Sequence, residues 1–109
     1  MTITPAFPFA IWKFPLATQA DLGSPVALQV EMPHKSKILS VQEQNSALYL
    51  WALVPLAQPS PAAFIVQSRN IVRRFIVLAT GERFDGKGTY IGTVQFDNGY
   101  VAHVFERTE

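Results

Sequence analysis

The sequence is divided into seven short runs rich in β-branched and aromatic residues, and no run repeats its apolar residues at the 3.6-residue period of a helix. Short runs separated by turn residues are typical of a β-sandwich or a small barrel. We therefore predict an all-β or mostly β fold of about seven strands, whose order the pattern leaves open. The predicted strands are Ala10–Leu16, Val26–Met32, Lys37–Gln44, Ala47–Val54, Ile71–Ala79, Tyr90–Phe96 and Tyr100–Glu106.

Two pairs of neighbouring runs are joined by residues that favour tight turns. Gln44-Asn45-Ser46 joins the third run to the fourth, and Asp97-Asn98-Gly99 joins the sixth to the seventh. Asn-Gly between two β-rich runs is the strongest short-range signal for a hairpin. We therefore expect two β-hairpins, one at each of these turns.

The residue pattern also predicts how some strands are placed. In the third run, alternation puts Leu39 and Val41 on one face of the sheet. Ala47–Val54 is almost continuously apolar, which predicts a central strand covered on both faces. Pro15 puts the first run at a sheet edge, or ends it, because proline lacks the amide donor.

The chain length of 109 residues is common for one domain, so we expect a single domain over residues 1–109. Prolines predict a loose arm at Met1–Phe9, which also lacks the basic and apolar regions of a signal peptide. Gln58–Pro61 is interpreted as an internal loop. The longest apolar stretch, Ala47–Ala57, is too short to span a bilayer, so no membrane partner is expected.

Composition limits the partners that we expect. With 49% hydrophobic and 16% charged residues, part of the surface should be apolar, and homo-oligomerisation is the ordinary explanation of such a surface. A net charge of +1 argues against nucleic-acid binding, which needs a basic face. The absence of cysteine excludes disulfides and cysteine-based zinc sites, and it is compatible with the cytoplasm.

The sequence contains no arrangement of residues that predicts catalysis. The serines lack a nucleophile elbow, and neither the acids nor the two histidines are spaced as a metal site requires. The glycine-containing segment Thr80–Thr89 has no GKS or GKT sequence and no following helix signal, so it is not a Walker loop, and it is interpreted as a connection or as a phosphate cradle. We therefore expect a protein that is not an enzyme, with no metal site and no cofactor.

Arg73 and Arg74 are candidates for contact with an anionic ligand. They are adjacent on a predicted strand, so their side chains point to opposite faces and one of them points inward. An inward guanidinium needs an anion, which is either an acidic residue elsewhere in the fold or the phosphate of a ligand.

Aromatic and polar side chains complete the candidate site. Trp51 and Tyr90 offer flat rings that either pack in the fold or stack on a base. His103 alternates with apolar residues, which indicates a hydrogen-bonded core histidine or a general acid–base group. The predicted ligand-binding set is Arg73, Arg74, Trp51, Tyr90, Thr93, Gln95 and His103.

An ordered series of short motifs extends over almost the whole chain. It consists of Ile11-Trp12-Lys13-Phe14-Pro15-Leu16, Met32-Pro33, Lys37-Ile38-Leu39-Ser40-Val41-Gln42, Leu50-Trp51-Ala52-Leu53-Val54, Tyr90-Ile91-Gly92-Thr93 with Gln95, and His103-Val104-Phe105-Glu106. This series resembles a family of small proteins of unknown function from bacteriophages and phage-derived regions of bacterial genomes. The chain departs from that family at Ala79-Thr80-Gly81-Glu82, where the family often carries a GTGH-like run.

The resemblance implies a biological setting and no particular reaction. Small phage proteins without enzyme motifs often block host defences or modify host components. By analogy, we expect an accessory protein that binds a target in the host cytoplasm, in its most concrete form an anti-defence sponge for a nucleotide-derived signal. The alternative is a protein–protein inhibitor of a host factor or a minor phage structural protein.

Overall fold

The computed structural model describes residues 8–22, 25–56, 58–59, 65–66 and 69–108. Within them, β-strands dominate, one short 3₁₀ helix spans Gln19–Asp21, and no α-helix is present, which confirms the predicted all-β fold. The strands are β1 (Phe9–Thr18), β2 (Val26–Pro33), β3 (Lys37–Gln44), β4 (Ala47–Pro55), β5 (Gln58–Pro59), β6 (Ile65–Val66), β7 (Asn70–Ala79), β8 (Gly88–Gln95) and β9 (Val101–Arg107).

Seven of these strands form a small sandwich of two antiparallel sheets. The three-stranded sheet has the order β1-β4-β3, and the four-stranded sheet has the order β2-β7-β9-β8. Edge strand β1 lies beside β2, and edge strand β3 lies beside β8, so the margins of the two sheets approach each other on both sides. The two-residue strands β5 and β6 pair with each other.

The core is formed by the inward-facing side chains of the two sheets. Alternate residues of β4 meet alternate residues of β7 and β9 between the sheets. Burying one such large apolar side chain contributes about 1.5–3 kcal/mol relative to exposure. Because side chains alternate along a strand, this core leaves the opposite face of each strand turned outward. The fully buried apolar residues are Met32, Leu48, Leu50, Ala52, Val54, Phe75, Val77, Ala102 and Val104.

Both predicted hairpins are present, with turns at the expected residues. Asn45 and Ser46 have φ angles of 53° and 64°, as the two-residue turn of a twisted hairpin requires. In the second turn, Gly99 has a φ of 90° and its N–H donates to the carbonyl of Phe96 at 2.9 Å. The local turn chemistry of the sequence therefore sets both connections.

Strand β4 is central in its sheet, as predicted, but only one of its faces is fully buried. The prediction that it is covered on both faces is wrong, because its outward residues, Tyr49 and Trp51 among them, are half-buried. Part of their cover comes from neighbouring side chains. The ammonium group of Lys13, for example, lies 4.7 Å from the centroid of the Tyr49 ring.

Register shifts change the faces that simple alternation predicts. The register of β3 against β4 shifts at Leu39, which is 46% exposed, whereas Val41 is buried. The prediction that these two side chains share a face is therefore wrong. A second shift in β1, after Pro15, allows the successive residues Leu16 and Ala17 both to be buried.

Some predicted boundaries differ from the structure. Strand β1 begins at Phe9, which was expected in the N-terminal arm, and residues 1–7 of that arm lie outside the described residues. In the expected loop Gln58–Pro61, the first two residues form β5, and the last two also lie outside the described residues.

Candidate functional site

The outer face of the four-stranded sheet, which points away from the three-stranded sheet, carries five of the seven predicted ligand residues. Strand pairing aligns Tyr90 with Phe105, Thr93 with His103 and Gln95 with Val101. Arg74 follows the inward-facing Arg73 on β7 and is exposed on the same outer face. The members on this face are Arg74, Tyr90, Thr93, Gln95 and His103.

A chain of four hydrogen-bonding side chains crosses this outer face. The Tyr90 hydroxyl lies 2.7 Å from Thr93 Oγ1, which lies 3.1 Å from His103 Nδ1. On the other side of the ring, His103 Nε2 lies 2.8 Å from Thr80 Oγ1. A neutral imidazole donates from one nitrogen and accepts at the other, so the tautomer sets the direction of the chain. The hydroxyl of Tyr90 can therefore serve a ligand as a donor or as an acceptor.

A β-bulge in β8 puts Tyr90 and Thr93 on the same face. The two residues are three positions apart, and in a regular strand they would point to opposite faces. The register against β9 shifts between Tyr90 and Gly92, which leaves Ile91 as an extra residue. The backbone is also close to the other sheet here, since a Cβ at Gly92 would lie 2.9 Å from Val41 Cγ1.

Aromatic rings lie next to the hydrogen-bonded chain. The Phe105 ring is 5.5 Å from the Tyr90 ring in an edge-on arrangement and 4.6 Å from the Phe84 ring at an interplanar angle of 35°. Phe84 comes from the loop between β7 and β8, so this loop folds over the sheet. Tyr90 is 57% exposed, which leaves it available for contact with a ligand.

Arg73 is the inward member of the arginine pair, and its anion is an acidic residue of the fold. Its Nε and Nη2 atoms each donate to the Glu106 carboxylate at 2.6 Å. Its Nη1 atom donates to the Ser36 carbonyl at 2.5 Å and contacts Met32 Sδ at 3.4 Å. The internal ion pair, one of the two sequence-based interpretations, is thus the one observed. Because the fork of the guanidinium is already used, Arg73 is not placed to hold a ligand.

Two open cavities lie beside Arg74 and Arg107. One, of about 390 Å³, is lined by both arginines together with Ala27 and Gln29 and their neighbours. The other, of about 240 Å³, is lined by the same two arginines with Val72 and the Arg73–Glu106 pair. Guanidinium groups match the geometry of phosphate and carboxylate, so the edges of these cavities suit an anion.

Trp51 lies apart from the other candidates. It belongs to the outward side of β4 and pairs with Lys13 of β1 and Ser40 of β3, on the opposite surface of the sandwich. Its ring is 6.2 Å from the Tyr49 ring. The prediction that Trp51 and an arginine of β7 form one site is therefore wrong, because the core separates them.

Sequence reasoning missed several residues that shape the outer face. Thr80 and Phe84 were assigned to an undifferentiated loop, although each contacts the sheet through its side chain. Arg107 was not considered, although it pairs with Asp85 at 2.9 Å. The adjacent residues Phe84 and Asp85 could have indicated a loop that contacts the sheet. Their partners, Phe105 and Arg107, could not be identified from the sequence because they depend on strand pairing.

The pKa of Asp85 is lowered, chiefly because the Lys87 backbone N–H donates to its carboxylate, with a further contribution from Arg107.

Among the described residues, no three His, Cys, Asp or Glu side chains are grouped as a metal site requires. No helix in the described part of the chain is long and apolar enough to cross a membrane.

The chain matches one known protein family over both of its sheets. A family model described as a domain of unknown function, DUF7352, matches residues 9–109. The chain belongs to this family. The matched range begins at the first residue of β1, so the DUF7352 domain includes the whole sandwich and its outer face. No curated protein and no solved structure gives a significant match to the chain.

Proposed function

We propose that this DUF7352 protein is a non-enzymatic accessory protein of a phage or prophage, which binds a small nucleotide-derived signal in the host cytoplasm and sequesters it. The observation that supports this proposal best is the grouping on one outer face of an exposed ring, a hydrogen-bonding chain and two arginines. These three kinds of group suit the base, the polar edge and the phosphate of a nucleotide. The resemblance to phage proteins supports the proposed setting.

The spacing of side chains along β9 suits a ligand of nucleotide size. His103, Phe105 and Arg107 follow one another on one face, at about 6.6 Å per two residues. A nucleotide along this strand would place its phosphate near Arg107 and Arg74 and the edge of its base near His103. The larger cavity, of about 390 Å³, falls within the usual range of about 300–1,000 Å³ for small-molecule sites.

The affinity of such an open site depends on a few contacts. Stacking of a base on an aromatic ring contributes about 1–3 kcal/mol, and a hydrogen bond to a charged group about 1.5–3 kcal/mol. Removal of either contact should therefore weaken binding about tenfold or more, since 1.4 kcal/mol corresponds to one factor of ten.

Calorimetry with cyclic AMP, cyclic GMP and cyclic dinucleotides tests the proposal. We expect Tyr90→Ala and Arg74→Gln to weaken binding about tenfold or more. Trp51→Ala is the matched control, because it removes an aromatic ring from the opposite surface, and its affinity should stay close to that of the wild type. Absence of binding by every folded protein at millimolar nucleotide would overturn the proposal. Loss of binding in the Trp51 variant alone would move the site to the three-stranded sheet.

A second candidate function, protein–protein inhibition or a structural role in the phage, is favoured by the outer face of the three-stranded sheet. Phe9 and Ile11 of β1 are 52% and 63% exposed, and Leu39 of β3 is 46% exposed. Large exposed apolar side chains on one face are typical of interfaces, and a second copy of this chain is the simplest partner. Light scattering tests whether this face joins two copies of the chain, with Ile11→Asp expected to convert a dimer into monomers. A wild-type monomer at high micromolar concentration would contradict self-association through this face.

A further inference from the structure

The loop between β7 and β8 covers part of the outer face with an aromatic ring and a carboxylate from successive residues. The Phe84 ring lies on the Phe105 ring, with 4.6 Å between the centroids. The neighbouring Asp85 carboxylate is bound by the Arg107 guanidinium, with Nη2–Oδ2 and Nη1–Oδ1 distances of 2.9 and 3.5 Å. The loop thus places a flat ring on an aromatic surface and an anion on an adjacent cation.

The sheet beneath the loop is shaped to receive this ring. A Cβ at Gly88 would lie 3.1 Å from Phe84 Cζ and 2.9 Å from the Glu106 carbonyl oxygen. Glycine at this position therefore provides the space in which the Phe84 ring lies. Arg107 also contributes to the Phe84 contact, since its guanidinium carbon is 6.0 Å from the centroid of the ring.

Side chains rather than the backbone hold the tip of this loop on the sheet. The Glu82 N–H donates to the Ala79 carbonyl, and the Glu82 carboxylate accepts a hydrogen bond from the Ala79 N–H. Among the described residues, the backbone hydrogen bonds outside regular elements include none from residues 83–86. The Asp85–Arg107 pair is exposed, at 44% and 32% of the two side chains, and such pairs are weak. Gly86, with a φ of 81°, allows the chain to turn directly after Asp85.

We infer that Phe105, Gly88 and Arg107 form a subsite for an aromatic anion, which Phe84 and Asp85 occupy until a ligand displaces them. The ring of the ligand takes the place of the Phe84 ring, and its anionic group takes the place of the Asp85 carboxylate. This inference rests on the proposed function and specifies its ligand: the ring and the anion must belong to one molecule, at the spacing of adjacent side chains. A ring alone replaces only the Phe84–Phe105 contact, and an anion alone replaces only the Asp85–Arg107 contact.

Binding of cyclic AMP to variants of the loop tests the inference. Asp85→Asn and Phe84→Ala each remove one internal competitor, and each should raise affinity about tenfold if the closed loop is favoured by about ten to one. Asp97→Asn is the matched control, because it removes the same charge from the turn between β8 and β9, and its affinity should be unchanged. Adenosine, which lacks the anion, and ribose 5-phosphate, which lacks the aromatic ring, should bind at least tenfold more weakly than cyclic AMP.

The outcomes separate this inference from the proposed function. Equal binding of cyclic AMP by the wild type and both loop variants would overturn the inference and leave the proposed function standing. Absence of binding of cyclic AMP by all of them, together with absence of cyclic GMP and cyclic dinucleotide binding, would overturn both. The NMR chemical shifts of the Phe84 ring give an independent measurement, because this ring lies on the Phe105 ring: bound cyclic AMP should move them toward those of an exposed phenylalanine, and unchanged shifts would contradict displacement. Asp85→Asn keeps the shape of the side chain, so the test remains valid if Phe84→Ala folds poorly.

Discussion

Replacement of Glu106 by glutamine should reveal how much the internal ion pair stabilises the sandwich. The Glu106 carboxylate receives two hydrogen bonds of 2.6 Å from Arg73, and the two side chains are 22% and 17% exposed. Removal of one partner of a buried pair costs about 3–5 kcal/mol, whereas exposed pairs contribute about 0–1 kcal/mol. Since about a fifth of each side chain is accessible, we expect Glu106→Gln to cost about 2–3 kcal/mol.

Urea unfolding of the wild type and the variants measures this loss. Glu31→Gln is the control, because the same chemical change occurs at an exposed carboxylate whose partner, Asn70, is 3.4 Å away, and its cost should stay below about 0.5 kcal/mol. The double variant Arg73→Met with Glu106→Leu removes both charges and should lose less than Glu106→Gln alone. If Glu106→Gln loses no more stability than Glu31→Gln, the buried pair does not stabilise the fold and this reasoning is wrong.

Three further changes test the turns and the packing. Ser46→Gly should stabilise the protein by about 0.5 kcal/mol in thermal unfolding, because φ is positive there, and Ser46→Ala should give no gain. Gly92→Ala should cost about 1–3 kcal/mol in urea unfolding, and Val41→Ala should recover part of that loss if the clash with Val41 is its cause. Burial and then the charge of Glu82 raise the pKa of Tyr100, so the folded state holds this proton more tightly than the unfolded state. Stability should therefore fall as the pH rises above about 10, and Tyr100→Phe, which also removes a buried hydroxyl that has no partner among the described residues, should reduce that fall without loss at pH 7.

The parts of the fold that depend on neighbouring residues could be predicted from the sequence. The turn at Asn98-Gly99 was found because its backbone preference is local, and β3 was placed at its observed bounds because its polar and apolar residues are bounded by turns. The shift at Leu39 was missed, because a bulge depends on how two strands fit together and leaves little trace in one of them.

The candidate site was predicted in part for a related reason. Alternation correctly indicated that one of two adjacent arginines points inward and needs an anion. Which acid supplies that anion depends on the pairing of β7 with β9, which joins Arg73 and Glu106 across 33 positions. Trp51 was grouped with the arginines because residue type was the sole guide, whereas the structure puts β4 and β7 in different sheets.

Because of the bulge at Ile91, the arrangement of side chains on the outer face depends on the number of residues in β8 more than on which residue stands at position 91. Deletion of this one residue would shift one part of β8 by one position against β9. In that part, the side chains that face the core would turn to solvent, and those that face solvent would turn to the core. Either Tyr90 would turn away from Phe105 or Thr93 would turn away from His103. Homologues that keep the hydrogen-bonded chain should therefore accept other apolar side chains at position 91, which packs against the core, but no insertion or deletion between 90 and 93.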